Sequence, residues 1–149
     1  MQRSRRWTDD DEGSASLEFI TAGLLLLLPM VYLVLTLSAL QAGAFAVEGA
    51  ARQAARVYVQ GENAAEADAA AGRAIEFALA DYGLEDSSVD VSVSCTESPC
   101  LTRRGFVTVT VATTVALPLV PPVLSVDTPL SIPVSSTATQ QVSRFWGGR

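Results

Sequence analysis

The hydrophobic pattern of the chain changes twice along its length. A run without charges extends from Phe19 to Val47, a stretch with helical spacing follows, and alternating apolar and polar residues occupy most of the remainder. An apolar run longer than about 18 residues is typical of a membrane-spanning helix. We therefore predict a transmembrane helix over 14–47 that continues beyond the membrane over 48–60.

The segment 64–82 has the spacing of an amphipathic helix. Asn63 suits the N-cap, and Glu66 three residues later resembles the second half of a capping box. Gly83 suits the position after the helix, with Leu84 folding back as a hydrophobic contact. The predicted apolar face comprises Ala67, Ala71, Ala74, Ile75, Ala78, Leu79 and Tyr82.

Alternation with a period of two predicts strands over about 88–95, 105–117 and 129–138. Each has one apolar face, and Pro133 restricts the last strand to an edge or a bulge. The predicted fold class is α+β: a long N-terminal transmembrane helix, a second amphipathic helix, and a small three-stranded antiparallel sheet. We expect one face of this sheet to pack on the helix pair.

The charges that flank the apolar run indicate its orientation. Arg3, Arg5 and Arg6 precede the run, whereas Arg52 and Arg56 follow it shortly afterwards. Because arginine is favoured on the cytoplasmic side, this slight excess predicts a single-pass protein of the cell membrane whose N-terminus is cytoplasmic. Residues 1–13 form a cytoplasmic leader in this interpretation, and 48–149 form an extracytoplasmic head. A signal peptide cut between Ala39 and Ala46 is the alternative.

Composition argues against enzymatic and nucleic-acid-binding roles. The net charge is −6, which disfavours a nucleic-acid partner. Histidine is absent and all ten basic residues are arginine, so the usual general base and the Schiff-base lysine are both missing. We expect no catalytic residue, no metal and no cofactor.

Two cysteines, Cys95 and Cys100, follow the membrane segment. Without another cysteine or any histidine, they cannot complete a tetrahedral zinc site from such side chains. In an extracytoplasmic compartment they are expected to form a disulfide.

Small residues recur at helical spacing across the end of the apolar run. Side chains of this size let helices approach closely. One interpretation is packing on the chain's own second helix, and the other is packing between subunits; both can hold at different heights. The residues concerned are Ala39, Ala42, Gly43, Ala46, Ala50 and Ala54.

Glu18 is the last charge before the apolar run, and a carboxylate at such a place is costly unless it is paired. If the chain were cut after Gly13, Ser14 would carry a new α-amino group. A neighbouring subunit would then offer that ammonium group to Glu18, which would fix the register between helices. The alternative is that Glu18 lies in the headgroup zone and contacts water.

The order Gly13-Ser14-Ala15-Ser16-Leu17-Glu18-Phe19, followed by a leucine-rich span, resembles the type IV prepilin processing motif. More closely, the segment 12–58 resembles the TadE-like pseudopilins of the bacterial tight-adherence (Flp pilus) system. The resemblance implies that Gly13 ends the leader, that Ser14 begins the mature chain, and that Glu18 and Phe19 serve recognition and assembly.

The resemblance also implies a function and a set of partners. The function is that of a non-enzymatic, minor pilin-like assembly protein acting by helix packing. The implied partners are membrane lipid, a prepilin peptidase, other pilin-like subunits and pilus assembly membrane proteins. The alternative is an uncleaved single-span protein whose extracytoplasmic head binds a partner or a ligand.

Overall fold

A computed structural model of the chain describes residues 14–85, 87–118 and 130–147. The predicted leader 1–13 lies outside these residues. The elements in chain order are the helices α1 (Ser14–Tyr58) and α2 (Ala64–Ala80) and the strands β1 (Val89–Cys95), β2 (Phe106–Ala116) and β3 (Ser131–Gln141). The prediction of an α+β chain with two helices and a three-stranded antiparallel sheet is confirmed.

Local hydrogen bonds fix both ends of α2. The Asn63 side chain accepts a hydrogen bond from the Glu66 backbone N–H at 3.0 Å, as an N-cap should. The Glu66 carboxylate accepts from the backbone N–H of Glu62 rather than from that of Asn63. At the other end Gly83 has φ 69°, and the Leu84 backbone N–H donates to Leu79 O. This is the glycine-terminated helix end that the sequence predicts.

The sheet has the order β1-β2-β3, and both pairs are antiparallel. Pro133 lies in the edge strand β3, as predicted. β3 extends further than the expected 138, because the long central strand β2 offers partners as far as the pair Phe106↔Gln141.

The helix α1 lies over β2 and β3, and α2 packs beside α1. Small side chains on α1 allow this close approach to the sheet and to α2. The core is formed by the following residues: Ala46, Val47, Ala50, Ala51, Ala54, Ala55, Tyr58, Ala67, Ala71, Ile75, Leu79, Leu101, Val107, Val109, Val111 and Val142.

One face of the sheet packs on the helices, as expected, but the helices leave this face uncovered at β1. Val89, Val91 and Val93 share this face with Val109 and Val111 of β2, since Val91 pairs with Val111 and Val93 with Val109. Their exposed fractions are nevertheless 38%, 44% and 37%. The reason is that α1 sits over β2 and β3, while α2 makes no close backbone approach to β1. An apolar strip therefore remains uncovered along β1.

The strands run along α1, not across it. Near the start of the head, Gly43 adjoins Val115 and Val134. Near the far end of α1, the Trp146 indole N–H donates to Gly61 O at 3.0 Å. β2 thus runs opposite to α1, and β1 and β3 run in the same direction as α1.

Candidate functional site

The first half of α1 is apolar and exposed. This helix is long and hydrophobic enough to cross a membrane, with a window of mean hydropathy 2.3 that is not covered by the rest of the chain. The exposed fractions of Leu17, Leu25 and Leu37 are 68%, 72% and 50%. The chain is compatible with a single-pass membrane protein that carries a small soluble head.

The head begins directly where this exposed apolar part ends. The stretch from Leu17 to Leu37 is about 30 Å long at the rise of an α-helix, which matches the hydrocarbon thickness of a bilayer. Ala39 and Ala42 are half-buried, and Gly43 is buried against the sheet. The last residues of the predicted span 14–47 therefore pack inside the head instead of facing lipid.

The predicted processing and recognition residues lie at the start of α1. Gly13 is outside the described residues, and Ser14 is the first residue of the helix. Glu18 is one turn further along and exposed, and Phe19 beside it has an exposed fraction of 81%. Among the described residues the recorded ion pair joins Arg52 to Glu48, and none is recorded there for Glu18.

The predicted helix-packing residues are largely used within the chain. Ala46, Ala50 and Ala54 are fully buried in the core of the head. Gly43 faces the sheet, because a methyl group built on its Cα would overlap Val115 Cγ2. The small residues thus serve the head's own packing on both α2 and the sheet, and only Ala39 and Ala42 retain accessible surface.

Tyr58 and Asp68 connect the two helices in the head, beyond the membrane-spanning part. Burial of the phenol raises the pKa of Tyr58, and the nearby Asp68 carboxylate raises it further. The hydroxyl therefore remains protonated at neutral pH and donates a hydrogen bond to Asp68.

The two cysteines lie at one end of the hairpin that joins β1 to β2. A disulfide links Cys95 to Cys100, with their Cα atoms 5.2 Å apart. Thr96 closes the same end, since its backbone N–H donates to Phe106 O and its hydroxyl accepts from the Phe106 N–H. The disulfide fixes a short loop next to the buried residue Leu101.

Cys95 and Cys100 should resist thiol alkylation in the native protein. We expect no mass gain from iodoacetamide before reduction, and two additions after reduction under denaturing conditions, measured by intact-mass spectrometry. Labelling of unreduced, denatured protein would contradict the disulfide.

The C-terminal aromatic pair divides between the core and solvent. Trp146 is half-buried, and its carbonyl accepts a hydrogen bond from Arg103 Nε at 2.6 Å. Phe145 is exposed, with the Arg144 guanidinium 4.5 Å from its ring centroid. The sequence gives no periodic signal for the tie between Trp146 and Gly61, because the two residues are 85 positions apart.

No group of three potential metal ligands occurs within the described part of the chain. The sites that remain are the exposed start of α1 and the uncovered strip of the head. No protein-family profile, curated protein or solved structure matches the chain.

Proposed function

We propose that this chain is a minor pilin-like, TadE-like subunit that acts by packing its membrane helix against other pilus components. The observation that carries the proposal is the placement of Glu18. It lies one turn inside an exposed apolar helix, five residues after a glycine that precedes the first helical residue. The head is then extracytoplasmic, and the partners are prepilin peptidase, other pilin-like subunits and assembly proteins of the membrane.

Cleavage after Gly13 would create a charged group that can pair with Glu18. An unpaired carboxylate in lipid costs several kcal/mol, so Glu18 favours a partner of opposite charge. Cleavage would place the α-amino group of Ser14 at the start of the same helix. A neighbouring copy displaced along the helix axis would present that group to Glu18.

The distribution of small residues supports a contact between subunits along the N-terminal part of α1. The alanines from Ala46 onward are buried in the head, so they cannot contact another subunit. The surface from Leu17 to Leu37, together with the partly accessible Ala39 and Ala42, is free to pack against other membrane helices. Van der Waals packing drives such association in a membrane.

The second candidate is an uncleaved single-span protein with a partner-binding head. The acidic residues Asp9, Asp10, Asp11 and Glu12 directly precede Gly13, where pilin-like leaders are usually basic. The uncovered apolar strip on β1 also favours a binding head.

The N-terminal sequence of the protein purified from membranes separates these functions. A start at Ser14 is expected if the leader is removed by a prepilin peptidase. A start at Met1 would leave the anchored binding head as the better proposal. A start between Ala39 and Ala46 would mean that the apolar run is a cleaved signal, which contradicts both.

A matched pair of variants makes this test specific for the processing motif. Gly13→Leu should leave the protein starting at Met1, because a bulky side chain blocks the close backbone approach that glycine allows. Gly23→Leu, at an open position of α1, should be processed as the wild type is. Equal processing of the two variants would argue against cleavage at Gly13.

A further inference from the structure

An open groove of about 740 Å³ lies between α2 and β1. Its walls are apolar, with Ile75 and Leu79 on one side and the valines of β1 on the other. Its charged lining residues are Asp68, Glu76 and Glu85, and no basic residue lines it in the described part of the chain. The groove therefore suits an occupant that combines apolar and cationic side chains.

We propose that this groove receives α1 of a second copy of the same chain. The contacting surface is a stripe on α1 formed by Phe45, Gly49, Arg52 and Arg56. Their spacing of four, three and four residues places them on one face of the helix. The proposal requires two copies in one membrane and does not require cleavage of the leader.

The stripe is exposed and lies opposite the buried face of α1. Phe45 has an exposed fraction of 60%, and Arg52 and Arg56 are also exposed. Apart from the adjoining backbone of its own helix, nothing in the described part of the chain lies within 4 Å of a methyl group built on Gly49. Because the buried face packs on α2 and the sheet, one copy can offer its stripe and its groove at the same time.

The heights of the two surfaces match when copies stand side by side. α1 and α2 run in opposite directions: Gly43 adjoins Gly83 and Leu84 in one small pocket, and Gly61 adjoins Ala67. Moving one residue towards the C-terminus of α1 thus corresponds to moving one residue towards the N-terminus of α2, at a rise of about 1.5 Å per residue.

This correspondence places complementary side chains of the two copies at the same height above the membrane. Phe45 of the second copy comes level with the apolar end of the groove between Leu79 and Leu84. Its two arginines come level with the acidic positions: Arg52 near Glu76, and Arg56 near Asp68. Apolar surface faces apolar surface, and cations face carboxylates.

The membrane orientation excludes one kind of symmetric pair. A single span makes every copy point the same way, which forbids two-fold pairing of inverted heads. A stripe-into-groove contact uses different surfaces on the two copies, so it repeats from copy to copy into rings or rows.

The absence of lysine gives a sharp test. Arg56→Lys keeps the charge and introduces the sole side-chain amine of the chain. The full-length variant, in liposomes with a mixture of unlabelled and ¹⁵N-labelled copies, is treated with a carbodiimide, which joins an amine to a touching carboxylate through an amide. We expect mixed-isotope dimers and longer species whose linked peptides contain position 56 and Asp68 or Glu76.

Arg144→Lys is the matched control, because Arg144 belongs neither to the stripe nor to the residues that line the groove. It should give at least tenfold less dimer at the same protein-to-lipid ratio. Equal yields from the two variants, no dimer from Arg56→Lys, or links to carboxylates outside the groove would each overturn the proposal.

A second variant tests the apolar part of the contact. Phe45→Ala in the Arg56→Lys background should reduce dimer yield about tenfold, which corresponds to the loss of one partly buried phenyl ring. Phe145→Ala in the same background should leave the yield unchanged. An unchanged yield with Phe45→Ala would show that the stripe does not enter the groove.

Discussion

Replacing Gly43 with alanine should destabilise the head by about 1–3 kcal/mol, the usual cost of forcing an extra carbon into a packed core. The new methyl group would overlap Val115 Cγ2, and Val134 Cγ2 lies 3.7 Å away on the neighbouring strand. Valine is stiff about χ1, so Val115 cannot turn aside at little cost. The helix or the sheet must shift instead, at the point where the head meets the membrane.

Gly49→Ala is the control for this substitution, since it lies on the same helix with no atom within 4 Å of the new methyl group. It should stabilise α1 by about 0.5–1 kcal/mol, because alanine loses less backbone entropy than glycine on forming a helix. The two variants make the same chemical change. Their difference therefore reports the contact with β2 rather than helix propensity.

The measurement is urea unfolding of the full chain in detergent, followed by the fluorescence of Trp146 in a Trp7→Phe background. Trp146 is half-buried and bonded to Gly61, so its emission should report loss of the head. In a Val115→Ala background, Gly43→Ala should lose much of its cost, because the overlapping methyl group has been removed. The same cost in both backgrounds would contradict the assigned contact.

Replacing Glu18 with alanine should abolish assembly and leave membrane insertion intact. The apolar surface from Leu17 to Leu37 still spans the bilayer without the carboxylate. Under the proposed function, the variant lacks the partner for the α-amino group of Ser14 in a neighbouring subunit. Leaving such an ammonium group unpaired in a low-dielectric surrounding costs several kcal/mol, enough to reduce association by more than a hundredfold.

Two readouts separate assembly from insertion. Resistance of the protein to carbonate extraction reports insertion, and crosslinked or filamentous material at the cell surface reports assembly. Glu48→Ala serves as the control, because Glu48 is a carboxylate of the head that pairs with Arg52 on the same helix. Normal assembly with Glu18→Ala would remove the ion-pair explanation and with it the main physical support for the pilin-like function.

Much of the fold follows from local pattern. The prediction that α1 continues beyond the membrane to about residue 60 agrees with its end at Tyr58. Asn63 and Gly83 bound α2 as expected, because capping depends on hydrogen bonds between residues close in sequence. The first two strands begin and end within about one residue of the prediction. The motif from Gly13 to Phe19 is likewise a property of sequence alone, and so is the absence of lysine and histidine.

Tertiary structure decided which apolar faces are covered. The alternation of Val89, Val91 and Val93 predicts one apolar face, and the same pattern in β2 predicts another; only the face on β2 is buried. The small residues of α1 gave two interpretations: Gly43, Ala46, Ala50 and Ala54 are buried in the head's own core, whereas Ala39 and Ala42 keep accessible surface. Periodicity identifies the side of an element that avoids water, because it depends on neighbours along the chain. Which surface covers that side depends on how segments distant in sequence pack together. The open groove beside β1 is therefore visible in the tertiary structure and not in the sequence.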